Sequence, residues 1–194
     1  VKYSGINFAD IQMRLGFCPD APKRPFVPGY EVSGTVRQVG KNVSRFKVGD
    51  PVVAGTYFGG YASQVTVPAI QAFALPASND LASAAALPVS FFTAQLALFE
   101  MGRIRAGDRV LIECATGGVG TLAVQMAKHV GAQVVGLTTT ASKKEYIAAL
   151  GATPYTREEF FADPSVGGFD FILQASGGKE IRRQLPRLGL TGRM

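Results

Sequence analysis

The stretch VLIECATGGVGTLAVQMAKHVGA, residues 110–132, constrains the fold more than any other part of the chain. The apolar run at Val110–Ile112 predicts a strand buried on both faces, and it predicts that Cys114 is buried with it. A glycine cluster follows. Val119, Leu122, Ala123, Met126 and Val130 then recur at helical spacing, and Gly131 closes the helix. A helix start carries unpaired N–H groups and partial positive charge, so a glycine turn there can receive a phosphate. Gly117 and Gly120 fill the second and third positions of the G-x-G-x-x-G fingerprint, with Gly118 and Val119 between them, while Ala115 takes the first. Glycine clusters also form ordinary turns. The buried strand before this one, the helix after it and a second strand beyond favour a nucleotide-binding turn.

The C-terminal half keeps this strand-helix alternation. QVVGLTT (133–139) predicts a second strand. SKKEYIAALGA (142–152) predicts a helix with Ser142 and Glu145 in capping-box spacing. FDFILQA (169–175) predicts another buried strand and KEIRRQLPRL (179–188) another helix, whereas the closing GLTGRM predicts none. Alternation with such apolar strands specifies an α/β unit around a parallel sheet. The N-terminal half has a different grammar. YEVSGTVRQVG (30–40), DPVVAG (50–55) and YASQVTVP (61–68) are short strand-like runs bounded by Gly, Pro and Asp, as in a barrel or sandwich. Residues 79–102 are helical in composition and broken at Pro88. The chain therefore divides into a β-rich domain, 1–88, and an α/β domain, 89–194.

Composition narrows the function. Net charge is +6, but the 20 Lys and Arg are scattered, and the densest group, Arg182, Arg183 and Arg187, suits a solvated helix face. No basic block interleaves with aromatics, so nucleic acid is not the expected partner. No stretch is apolar and long enough to span a membrane. Two distant cysteines make no disulfide framework and point to a reducing, cytoplasmic setting, with a mitochondrial one compatible. The lone His129 excludes a multi-histidine metal site. After the second strand, an NAD site would place an acidic residue to bind ribose hydroxyls. Here Thr138, Thr139, Thr140, Ser142, Lys143 and Lys144 occur with no carboxylate before Glu145. Hydroxyls and an ammonium suit a 2′-phosphate, hence NADPH. The same residues also suit a polar helix cap with exposed lysines.

The motifs SGINFAD (4–10), PFVPGYEVSGTVRQVGKNVSRFKVGDPV (25–52), GGYASQVTVP (59–68), AAALPVSFFTAQLAL (84–98), GDRVLIECATGGVGTLAVQMAKHVGA (107–132), LGA (150–152) and FDFILQASGG (169–178) occur together and in order. With them the chain resembles the medium-chain dehydrogenase/reductase superfamily, in its zinc-free quinone oxidoreductase-like branch. Alanine is common at position 115 in that branch. The resemblance implies a GroES-like β-barrel domain followed by a Rossmann domain, with family strands before Val1 and further sheet past Met194. Zinc-dependent members carry Cys where Asn7 stands and Gly-His-Glu where Gly29-Tyr30-Glu31 stands. Asp10 and Glu31 remain but do not make a zinc site alone, and no metal is expected.

The resemblance further implies NADPH-dependent reduction of quinones or of the C=C bond of α,β-unsaturated carbonyls, with a non-catalytic NADPH-binding scaffold as the alternative. Asn7 and Tyr30 are the expected catalytic groups. Either also suits structure, Asn7 as a turn amide and Tyr30 as packing. Relatives often have Tyr where Cys18 stands in GFCP. The cofactor is expected at Thr93, Gly117, Gly118, Val119, Gly120, Thr138, Thr140, Lys143, Tyr155 and Ser176. The substrate is a small molecule, and the full-length protein is expected to be a homodimer.

Overall fold

The computed structural model describes residues 1–76 and 78–194. Two compact units make up the chain, Val1–Val89 and Ser90–Met194.

In the first unit, four short strands form an antiparallel sheet: β1 (Tyr3–Ser4), β2 (Glu31–Thr35), β3 (Pro51–Gly55) and β4 (Ala72–Ala74), in that order. Val32 lies opposite Ala54 and Ser33 opposite Val53, so the period-2 pattern turns Val32, Ala54 and Ala72 onto one core with Phe46. YASQVTVP is not a strand. Its Val65 and Val67 pack against that core, but the segment joins no ladder. Among the described residues the unit also holds two α-helices, α1 (Phe8–Leu15) and α2 (Leu81–Ala84), and a 3₁₀ turn at Ala69–Gln71. Residues 1–75 read as β-rich and carry no helix signal of their own, so α1 adds to that reading. It ends at Gly16 in the left-handed conformation (φ 84°), with the Gly16 N–H donating to Met13 and that of Phe17 to Gln12. Asp80 caps α2, accepting from the N–H groups of Ala82 and Ser83.

The second unit is a parallel five-stranded sheet in the order β7-β6-β5-β8-β9. Its strands are β5 (Arg109–Ile112), β6 (Gln133–Thr138), β7 (Thr153–Thr156), β8 (Phe169–Leu173) and β9 (Leu188–Arg193). Helices α4 (Gly118–His129), α5 (Lys144–Ala149), α6 (Arg157–Ala162) and α7 (Lys179–Gln184) connect them. Helix α3 (Pro88–Gln95) begins at the expected proline and runs into a wider helical turn, Leu96–Met101. The sheet buries both faces. Val110, Ile112 and Val134 pack with Ala123, Val124 and Ala127 of α4 on one side, and Leu111, Val135 and Leu137 pack with Phe160, Phe169 and Ile172 on the other. Among the described residues no helix is long and apolar enough to cross a membrane.

Four local expectations are corrected. GLTGR forms β9, pairing with β8 from Leu188 opposite Phe169 across an irregular register. Its two glycines weaken the local strand signal, and a side chain at Gly192 would collide with the Phe169 carbonyl. The capping box is not at Ser142. The chain enters α5 through a 3₁₀ turn, Ala141–Lys143, and the reciprocal cap belongs to Thr156 and Glu159 at α6. Cys114 is exposed, because it has left the strand and takes a left-handed backbone (φ 51°). Arg187 is not part of a solvated face. Its guanidinium donates to the carbonyls of Asp163 and Val166 at 2.7 and 2.8 Å and more distantly to Phe160 and Phe161.

The glycine turn shows why its residues are small. A side chain at Gly120 would overlap the Cys114 carbonyl and come within 2.8 Å of Ala115 Cα, whereas one at Gly117 would meet the Cys114 oxygen at 3.2 Å. Gly120→Ala is therefore expected to destabilise the fold by about 1–3 kcal/mol through overpacking. Gly117→Ala should cost less. Urea unfolding of the two variants checks the order, and equal midpoints would show that α4 can move away from β5.

Candidate functional site

The first unit gathers polar groups around the start of α1. Asn7 precedes the helix. Its backbone N–H donates to Asp10 Oδ2 (2.8 Å), and Asp10 Oδ1 accepts from Gly29 N (3.1 Å). The Asn7 amide Nδ2 donates to Glu31 Oε1 (2.8 Å), and Glu31 Oε2 accepts from Val89 N (2.8 Å). Glu31 is buried at the head of β2, and burial pushes its carboxyl above the ordinary range against the pull of those two donors. The Tyr61 phenol donates to Asp10, and burial with that carboxylate pushes its pKa up to about 12. Tyr30 lies beside Cys18 within a cluster of rings formed with Tyr57 and Phe58. Burial first, and the neighbouring thiol second, raise its phenol pKa, so it holds its proton at neutral pH. The structure thus joins Tyr30 to Cys18, the residue standing where relatives have Tyr. It also ties Asn7 to Glu31 rather than to backbone alone.

In the second unit the strand order reverses between the paired neighbours β5 and β8, since the crossovers to β6 and β7 run to one side of β5 and β8 and β9 lie on the other. The candidate site lies at the end of β5 beside that switch point. The chain leaves β5 through Glu113 and the left-handed Cys114 and enters α4 at Gly118, with Gly117 preceding the helix. The first-turn N–H groups of Gly118, Val119 and Gly120 have no acceptor within their own helix. Ala115 is fully buried, and its methyl faces Gly136 of β6, where an added side chain would stand 3.0 Å away. The first fingerprint position is thus a packing position, and the left-handed residue is the one before it. Ser90 Oγ lies where a side chain on Gly118 would sit, at 2.8 Å, which brings α3 against the turn. Nothing in the local sequence around Ser90 signals that contact, since it arises from tertiary packing.

Beside the turn is a cavity of about 220 Å³ lined by Thr116, Gly117, Thr138, Thr139, Lys143 and Arg157, with Cys114 and Leu137. No carboxylate lines it. Lys144 pairs instead with Glu159 (2.7 Å), and Lys143 makes no ion pair among the described residues. Of the other expected cofactor residues, Thr138 lines the cavity, although its hydroxyl accepts from Thr140 N at 3.2 Å. Thr140 supplies that N–H and leads into the 3₁₀ turn. Tyr155 is not brought to the cavity. Its ring packs edge-on against Phe160 in the core. Thr93 is exposed on α3.

Ser176 is held elsewhere, by a group that motif matching passes over. Glu113 is buried, with its side chain fully enclosed, and it accepts six hydrogen bonds. Oε2 takes Gln174 Nε2 and the N–H groups of Ala175 and Ser176, at 2.8, 3.1 and 3.0 Å. Oε1 takes Ser176 Oγ, Arg157 Nη2 and Gln184 Nε2, at 2.8, 3.0 and 3.2 Å. A carboxylate directly after an apolar strand was the available signal, because burying one demands a partner of opposite charge and several donors.

Comparison with known proteins agrees with this architecture. Residues 1–77 match the family model described as the alcohol dehydrogenase GroES-like domain, and residues 118–194 match that described as zinc-binding dehydrogenase. The zebrafish (Danio rerio) synaptic vesicle membrane protein VAT-1 homolog is 35% identical over 200 residues, covering 100% of this chain and 41% of that protein. The CurK enoyl reductase structure superposes with a TM-score of 0.88 at 32% identity, covering 97% of this chain and 61% of its own. The Thermus thermophilus quinone oxidoreductase, solved alone and with NADPH, gives 0.85 at 36% identity, covering 97% and 60%. The chain thus spans less than half the length of that curated relative.

The second family description names zinc, and the residues here do not suit it. Asn7 offers an amide whose N–H₂ already donates to Glu31, Tyr30 a phenol that keeps its proton, and the remaining donors are the carboxylates of Asp10 and Glu31. Among the described residues no group of three or more His, Cys, Asp or Glu is placed to hold a metal ion. Cys114 yields a direct test of the electrostatics at the glycine turn. Partial burial first, and the Glu113 carboxylate second, raise its thiol above the ordinary 9.0, against the pull of Arg157. In a Cys18→Ser background, alkylation of Cys114 by iodoacetamide, followed by mass spectrometry, should rise with pH through a midpoint above 9.0. A midpoint on the acid side of that value would mean that Arg157 governs the thiol.

Proposed function

The chain belongs to the medium-chain dehydrogenase/reductase superfamily, in its quinone oxidoreductase-like branch, and on that premise we propose that it serves zinc-independent, NADPH-dependent reduction of quinones or of the C=C bond of α,β-unsaturated carbonyls. The observation that carries the cofactor assignment is the cavity beside the glycine turn, which is lined by Lys143, Arg157 and threonine hydroxyls and by no carboxylate. A ribose 2′,3′-diol seeks an acidic acceptor, whereas a 2′-phosphate seeks cations and hydroxyls. The N–H groups at the start of α4 suit the pyrophosphate. The NADPH complex of the Thermus thermophilus protein supports the same choice.

NADPH supplies a hydride, and the protein's own residues orient the substrate and deliver a proton. Asn7 is fixed by its bond to Glu31, which leaves its amide oxygen as an acceptor of set direction. Tyr30, with its phenol pKa raised, is a proton source at neutral pH, and the adjacent Cys18 modulates it. Gly117, Gly118, Val119 and Gly120 take the phosphates. Lys143, with Thr138 and Thr140, would hold the 2′-phosphate, and Thr93 and Ser176 would lie toward the nicotinamide. Tyr155, packed against Phe160, would support the sheet rather than touch the cofactor. The same reading takes the protein to be cytoplasmic and its full-length form to be a homodimer.

A full-length protein should oxidise NADPH in the presence of simple quinones or enones, measured at the nicotinamide absorbance. Protection by NADPH against heating, with no oxidation for any acceptor, would replace catalysis by the scaffold role. Lys143→Ala should weaken NADPH about tenfold, the worth of one charge-assisted hydrogen bond, and leave NADH nearly unchanged. Equal losses for both would remove Lys143 from the phosphate.

A further inference from the structure

Arg157 stands at the first position of α6 and lines two cavities. One is the cavity of about 220 Å³ shared with Lys143, and the other is a more open one of about 480 Å³ bounded by Thr139, Thr156, Glu158, Phe161 and Arg183. A guanidinium carries five N–H donors in a rigid plane. Among the described residues, Arg157 uses one hydrogen bond, from Nη2 to Glu113 Oε1, and its Nε is buried with no acceptor. The Arg157 side chain is 28% exposed and lines the cavity, so its remaining Nη donors are left for an anion bound there. Glu113 cannot supply more, since its two oxygens already take six donors. The ion pair instead fixes where the guanidinium lies, at the wall of the smaller cavity that Thr138, Thr139 and Lys143 also line and no carboxylate does.

We propose that Arg157 is a specificity-determining residue, a second cationic contact that acts with Lys143 on a phosphate monoester bound in that cavity. It rests on the NADPH reading above and extends it. Lys143 is an exposed point charge on a flexible stem, whereas Arg157 is a planar fork anchored from behind by a buried carboxylate. The anchored group sets the geometry that tells a phosphate from a hydroxyl, and the lysine adds charge. A third cation, Arg183, stacks over the Phe161 ring at 3.6 Å and borders only the larger cavity.

The test uses adenosine 2′,5′-bisphosphate and 5′-AMP, which differ by the 2′-phosphate, in calorimetric titrations of the chain. Arg157→Lys keeps a positive charge near Glu113. The double variant Glu113→Gln/Arg157→Gln removes both charges, so no carboxylate is left buried and unpaired. Unfolding curves identify the variants that remain folded. Each folded variant should bind the bisphosphate about tenfold more weakly than the parent, the loss of one charge-assisted hydrogen bond, with 5′-AMP changed by less than about twofold. A parent that prefers the bisphosphate, with folded variants that keep the preference, overturns the role of Arg157 and leaves the NADPH reading intact. A parent that binds both probes equally overturns the NADPH reading and this inference with it. Parallel losses for both probes would make Arg157 a structural residue only.

Discussion

The contact of Gly120 with the end of β5 is the constraint on which the second unit depends. Helix α4 lies so close to the Cys114 carbonyl and to Ala115 that no side chain fits between them. That proximity lets α4 cover Val110 and Ile112 with Ala123, Val124 and Ala127, all fully buried. The small residues leave no cavity because the backbones themselves close the gap. The same proximity forces the chain to reverse within a few residues, and Cys114 absorbs the reversal with a left-handed backbone. Such a conformation costs a residue with a Cβ roughly 1–2 kcal/mol, a cost offset by the packing it permits.

Glu113 is the second constraint. It binds the end of β5 to the Gln174–Ser176 segment after β8, to α6 through Arg157 and to α7 through Gln184. A buried ion pair is weak evidence of stability by itself, since desolvation opposes the attraction. Removing one partner alone leaves an uncompensated charge, at about 3–5 kcal/mol. The six donors make the arrangement specific in geometry. In the first unit Asp10 and Glu31 act in a comparable way, with backbone N–H groups, an amide and a phenol as their donors.

Much of the second unit was legible because its strands are buried on both faces and announce themselves as apolar runs. The strand before the glycine turn, α4 with its stop at Gly131, and the break at Pro88 all follow from local chemistry. Strand β9 was not legible, because LGLTGR has no strand pattern of its own and owes its conformation to pairing with β8. The first unit was harder to read. Val65 and Val67 alternate like a strand yet only pack, while α1 hides among turn residues and leaves Phe8, Ile11 and Leu15 exposed. At the site, the glycines and Lys143 stood out because phosphate chemistry asks for those residue types at that spacing. Arg157, Ser90 and Glu113 did not, since their partners lie tens of residues away.

The carboxylate behind Arg157 has a consequence for the charge of the cavity. Glu113 is enclosed, permanently placed and attached to the same guanidinium that borders the cavity. It subtracts from the field that any anion entering there would feel. The charge along the cavity wall is thereby set in part from the end of a core strand, out of reach of solvent.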